Sequence, residues 1–460
     1  MSPDGADGTP HLERTPPPER GIARRSVLRG LGAGALATGA CGILAACGSG
    51  SKPAALSSSR DTITIGYISP FTGALSGFAA GDRFVIDTIR ATPAFANGFK
   101  VGGKKYDVNI VVADSQSDPS RASQLARQLI LSNGIDLMLV SSTPETVNPV
   151  AVVAETEGVP CVGTNDPWES WYSGLGGNPT PGHATTTYQF STLFFFGLKQ
   201  LQGCYVPMWN RISSSNKNVA CQYPNDSDGE AFRAGFEPLI TASGYTVVDG
   251  GAYSDGTASY STMIARFKSL DCQYFTNAPI PPDFNVFWRE AHQQGFKPRL
   301  ATVAKVLLFP PDTAVLGSLV SNIATNSWWG PYMPNHSSLT GQTARSLADA
   351  YQAQTGNQWV QGIGSSYSLF EIAHEVFTSP NVTDPHDPQE VAAQLHAVNY
   401  TGMCGPLDFA GGPAPGVAII PPVGVQWKAA AGKYPFEMKV VDNSLNPAVR
   451  IEADLEPTNA

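Results

Sequence analysis

Between Ile135 and Trp171 the chain places hydroxyls, an amide and an indole at the ends of two short apolar runs. Ser141, Ser142 and Thr143 follow IDLMLV, and Thr164, Asn165 and Trp168 follow VPCVG. Side chains of these types hydrogen-bond and offer a flat apolar face, which is chemistry for holding a small polar molecule. They do not make a nucleophile with its base. No GxSxG elbow and no P-loop lysine occurs, and His374 beside Glu375 lacks the second helical histidine of a zinc site. Neither catalytic residues, a metal nor a cofactor is therefore expected. Gly32, Gly34 and Ala37 match a dinucleotide fingerprint by letter, but no strand precedes them.

The elements that must position these groups are legible. An all-apolar run such as IDLMLV suits a strand buried on both faces of a parallel sheet. PVAVVAETEG has helical spacing with Gly158 to stop it, and VPCVG reads as the next strand. Two neighbouring parallel strands thus deliver polar turns to one sheet edge, the edge where small ligands bind in open α/β sheets. Upstream, TITIGYIS is a strand whose following turn offers the Thr72 hydroxyl, and VNIVVAD is a second strand. Asp118 then caps a helix with Pro119 at its first position, and Ala122, Leu125, Ala126, Leu129 and Ile130 give it a core-facing stripe. Downstream, the segment 178–187 reads as a crossing to a second lobe, where STLFFFGLKQL is expected to be helical and NVACQYPNDSDGEAF repeats strand, polar turn and helix. The segment 322–334 recrosses, SLADAYQAQTG and GSSYSLFEIAHEVFTS return as helices to the first lobe, and VGVQWKAAAGKYPFEMKVV closes the chain as a strand pair.

A length of 460 residues suits two lobes, and a net charge of -9 with only 15% charged residues excludes the basic face that a nucleic-acid partner requires. Arg24 and Arg25 open a twin-arginine pattern, Gly30 to Ala46 is too short and small-residued for a membrane span, and Leu44, Ala45, Ala46 and Cys47 resemble a bacterial lipobox. The expectation is an exported lipoprotein, anchored through Cys47 to the outer face of the cytoplasmic membrane. GSGSKPAALSSSR then serves as a tether. Five cysteines follow Cys47, and Cys204 with Cys221 is the expected disulfide in an exported protein.

Taken in order, IGYISPFTGALSGFAAGD, VVADSQSDPSRASQLARQLI, AVVAETEGVPCVGTND, YSTMIARFKSLDCQYF and GMCGPLDF with VGVQW resemble the branched-chain amino-acid type of solute-binding protein from ABC importers, over nearly all of Asp61 to Val441. The resemblance implies the type I periplasmic binding fold, an α/β class of two Rossmann-like lobes with parallel sheets joined by three crossover segments. The expected division is a signal region at 1–47, a tether at 48–60, lobe one at 61–187 with its return at 331–405, lobe two at 188–330 with terminal strands at 406–450, and a tail at 451–460. It further implies a monomer that closes an interlobe cleft over a small amino-acid-like, amide or organic or aromatic acid solute and hands it to an ABC permease. A tethered sensory receptor signalling to a membrane kinase is the rival expectation.

In that family the turns after the third and fourth strands hold the ligand carboxylate, and here these match Ser141, Ser142, Thr143, Thr164 and Asn165. Lobe two is expected to contribute near Asp226 and Asp228, where the family's tyrosine is missing, and at Pro279. Lys305 falls where the family places the acid that binds a ligand ammonium, which favours an anionic or neutral solute. Asp226 or Asp228 is the alternative partner for an ammonium. Aromatic residues cluster at Trp168, Trp171 and Tyr172 and at Trp328, Trp329 and Tyr332, and Trp168 is the preferred stacking face because it shares a turn with Asn165.

Overall fold

The computed structural model describes residues 60–458; the twin-arginine segment, Cys47 and nearly all of the tether lie outside them. The first sheet is entered by β1 (Thr62–Ser69), β2 (Phe99–Val101), β3 (Lys104–Asp114), β4 (Leu137–Ser141), β5 (Cys161–Thr164) and β6 (Ser191–Phe194). The second takes β7 (Asn218–Gln222), β8 (Thr246–Asp249), β9 (Tyr274–Asn277), β10 (Leu300–Val303) and β11 (Ala324–Ser327). A hairpin of β12 (Asn399–Gly402) and β13 (Gly405–Asp408) precedes β14 (Val417–Ala418), β15 (Val423–Ala429) and β16 (Phe436–Asp442).

The strand orders are β14-β6-β5-β4-β1-β3-β2 and β16-β15-β11-β10-β9-β7-β8. Each sheet is parallel except at one end, where β2 runs against β3 in the first and β15 and β16 run antiparallel beside β11 in the second. This is the expected α/β architecture of two lobes. Every residue of β4 and β5 is buried, as strands covered on both faces require. Asp118 caps the helix Pro119–Asn133 by accepting the Arg121 N–H at 2.8 Å, and Gly158 ends the helix Pro144–Glu157 at φ 72°, a conformation that costs glycine little.

Three expectations need correction. Ser191–Phe194 is not helical: it is β6, paired with β5 in the first sheet, and the helix begins only at Leu198. Its four buried residues place it in the sheet interior, so lobe one runs past residue 188. The segment after 406 is likewise shared, because β14 pairs with β6 while β15 and β16 join the second sheet. Cys204 and Cys221 are not bridged. They sit on the helix Leu198–Asn210 and on β7, and both are free and buried, as are Cys161, Cys272 and Cys404. Among the described residues no helix is long and apolar enough to cross a membrane.

Candidate functional site

A cavity of ≈ 40 Å³ lies between the two lobes. Residues following β4, β5 and β6 line it from the first sheet, among them Thr143, Pro144, Asn165, Phe195 and Phe196, with Phe78 beside them. Residues following β7, β9, β10 and β11 line it from the second, among them Asp228, Phe232, Ala278, Lys305 and Trp328. Its volume admits water-sized guests and falls far short of the several hundred Å³ of a solute pocket. Three of the cleft positions hold left-handed backbone on residues other than glycine: Ser142 at φ 135°, Asn165 at 64° and Lys305 at 65°. Such conformations cost about 1–3 kcal/mol each and persist where the surroundings over-determine them.

The lobe-one hydroxyls are mostly committed to the protein itself. Asn165 Nδ2 donates to Ser141 Oγ at 3.2 Å, and Asn165 Oδ1 accepts from Ser365 Oγ at 2.8 Å. Thr164 Oγ1 donates to the Phe194 carbonyl at 2.9 Å, and Thr143 Oγ1 donates to Glu145 Oε2. Ser142 Oγ is buried without a partner. Thr72 bonds Asp114 Oδ2 at 2.7 Å in an exposed turn and does not line the cavity.

Lys305 is the centre of the polar end. Its side chain is 6% exposed, and Nζ lies 2.6 Å from Asp228 Oδ2, 2.7 Å from Glu145 Oε1 and 3.5 Å from Asp226 Oδ2. Glu145 stands in the first turn of the helix Pro144–Glu157 on lobe one, so its contact with Lys305 spans the cleft. Asp226 caps the short helix Ser227–Ala231 through the Gly229 N–H at 2.7 Å. Burial works against the Lys305 charge, but Asp228, Glu145 and Asp226 outweigh it and hold the ammonium well above its ordinary value. Burial also pushes the Glu145 carboxyl up, yet Lys305 and the Thr143 hydroxyl bring it below the usual range. For Asp228 the balance differs: burial, Glu145 and Asp226 prevail over Lys305 and push it up to about 7. Asp166 is fully buried with neither oxygen hydrogen-bonded, and burial, Asp228 and Glu145 drive its carboxyl well above the ordinary range.

Lys305 lines the cavity together with Asp228, and three carboxylates surround its ammonium. Trp168 packs against Tyr172 with ring centroids 6.1 Å apart, and Trp328 lines the cavity instead. Pro279 is buried beside the cavity-lining Ala278. Sequence reasoning missed Glu145, because an acid in a first helical turn has an ordinary dipole role, and it placed Asp166 in the polar turn after VPCVG without counting it among the ligand-binding residues. It missed Phe195 and Phe196 because FFF was assigned to a helix rather than to the end of β6.

Comparison with known proteins agrees with the two-lobe α/β fold. The chain is 21% identical over 341 residues to a Leu/Ile/Val-binding protein of Citrobacter freundii, covering 73% of this chain and 84% of that one. A leucine-binding protein of Thermotoga maritima superposes with TM-score 0.63 at 18% identity, covering 82% of this chain and 97% of that one. A solute-binding protein of an ABC transporter from Rhodopseudomonas palustris, in complex with 3,4-dihydroxybenzoic acid, gives TM-score 0.64 at 15% identity over 85% and 99% of the two chains. At these identities the solved structures speak for the fold alone. The family model described as periplasmic binding protein matches residues 62–429, and the chain belongs to that family of extracytoplasmic solute-binding proteins, which are not enzymes.

Proposed function

We propose that this chain is the receptor of an ABC importer, tethered outside the cytoplasmic membrane by a lipid on Cys47 and acting as a monomer that delivers one small solute to its permease. The observation that carries the reading is the interlobe cavity, which both sheets line with the residues following their strands. Ligand sites form at such edges, and closing two lobes over a solute buries most of its surface. The rings of Phe78, Phe195, Phe196, Phe232 and Trp328 suit a flat or branched apolar body. The relatives named for leucine or carrying a dihydroxybenzoic acid make such bodies a reasonable starting panel. The twin-arginine pattern and the Leu44 to Cys47 tetrad support export and anchoring.

Thermal-shift titration of the purified chain against amino acids, amides, amines and aromatic acids tests binding, because a ligand of the native state raises apparent stability. One class is expected to give a saturable shift, and a strain lacking the gene is expected to lose uptake of that compound. Binding with unimpaired uptake would contradict the import role and favour the sensory one. Loss of radiolabelled lipid incorporation in Cys47→Ser tests the anchor.

A further inference from the structure

The polar end of the cleft holds more acid than its one lysine can neutralise. Glu145 from lobe one and Asp226 and Asp228 from lobe two surround Lys305 Nζ. Asp166 adds a fourth carboxyl, fully buried, with both oxygens lacking a hydrogen-bond partner. Asp228 is 4% exposed and lines the cavity, and its Oδ1 is likewise unpartnered. Buried acceptors of this kind are costly unless a donor arrives. A ring of aromatic side chains lines the same cavity, and aromatic faces attract organic cations. Glu145 occupies the start of the helix Pro144–Glu157 and takes the Thr143 hydroxyl, Thr164 donates to the Phe194 carbonyl and Ser141 accepts from Asn165, so that Ser142 is the hydroxyl of these turns left without a partner.

Resting on the reading of this cleft as the solute site, we infer that the solute is an organic cation without a carboxylate, whose ammonium or amidinium group goes to Asp228 and Asp166 while its apolar body lies among Phe195, Phe196, Phe232 and Trp328. A free carboxylate would meet Glu145, which is 2.7 Å from the cavity-lining Lys305, as a like charge in a dry site, and this disfavours α-amino acids and aromatic acids. The elevated carboxyls of Asp166 and Asp228 add a consequence. A cation beside them favours their charged forms, so binding releases protons and strengthens as pH rises. Glu145, Asp226, Lys305 and Glu169 are the other charged groups acting on this pair.

The test is calorimetric titration of the purified full-length protein with three probes sharing one ring: 2-phenylethylamine, 3-phenylpropionate and phenylalanine. The amine is expected to bind saturably, about tenfold more tightly at pH 8 than at pH 6, and to release protons in buffers of differing ionisation enthalpy. Asp228→Asn and, as a second variant, Asp166→Asn are each expected to weaken it about tenfold. Binding of the acid or of phenylalanine, or no binding of the amine at millimolar concentration, overturns the inference. If the acid binds and Trp328→Ala abolishes that binding, the cleft stands and only the cation is wrong. If the amine binds unaffected by Trp328→Ala, Asp228→Asn and Asp166→Asn, the cleft reading itself falls.

Discussion

Lys305 Nζ lies 2.7 Å from Glu145 Oε1, and the two residues belong to opposite lobes. One ion pair therefore bridges the cleft beside a cavity of ≈ 40 Å³. Under the proposed function a solute opens this contact to enter, and the pair then bears on the balance between open and closed forms.

Replacing Glu145 by Ala removes the lobe-one end of the bridge and leaves Lys305 with Asp228 and Asp226. The loss is expected to be about 1.5–3 kcal/mol, the worth of a hydrogen bond to a charged group. Small-angle scattering is expected to show a larger radius of gyration than the wild type, because the lobes part. An unchanged radius would mean that the bridge does not hold them.

Lys305→Met is the harsher change, since it leaves Asp228 and Glu145 buried without their cation. A cost of about 3–5 kcal/mol in urea denaturation at neutral pH is expected, as for other broken buried pairs. Acidification is expected to recover part of it, because protonated carboxyls no longer need a counter-charge.

Glu169 offers a pH-dependent test of the crossing between lobes. Its carboxylate accepts the Leu198 N–H at 2.9 and 3.1 Å at the start of the helix Leu198–Asn210, yet burial pushes it up to about 7. The folded state thus keeps a proton that the unfolded chain has already lost. Its contribution is full below the ordinary glutamate pKa and disappears as pH rises through about 7. Between about pH 5 and about pH 8 the wild type is expected to lose more stability than Glu169→Gln, which keeps an acceptor but no titration. Parallel stability curves would contradict this.

The five cysteines after Cys47 are buried and free, so a thiol reagent is expected to find none reactive in the native fold and all five in denaturant, without a reductant. Three reactive thiols in unreduced, denatured protein would reveal a disulfide.

Fold and site differ in how much of each the sequence carries. Hydrophobic runs such as IDLMLV and the cap at Asp118 report local structure, and they led correctly to two α/β lobes. β6 escaped because four buried residues running into a helix carry no period of their own, and only pairing with β5 and β14 distinguishes them. The polar turns after β4 and β5 were legible by position, but the partners of their hydroxyls were not. Whether Thr143 faces a solute or Glu145 depends on a lysine 160 residues away, and nothing in SSTPE signals it. The sequence shows the charge of Lys305 but not the carboxylates around it, since one residue's charge says little about the net charge of the cluster that folding builds around it.

The most direct test is a crystal structure of the protein with whichever solute gives the saturable thermal shift. The account predicts density between the lobes, with the apolar body against Trp328 and Phe196, the polar end at Asp228, and the Lys305 to Glu145 contact lengthened or broken. Density outside the cleft, or a solute bound with that contact intact and the cavity empty, would contradict it.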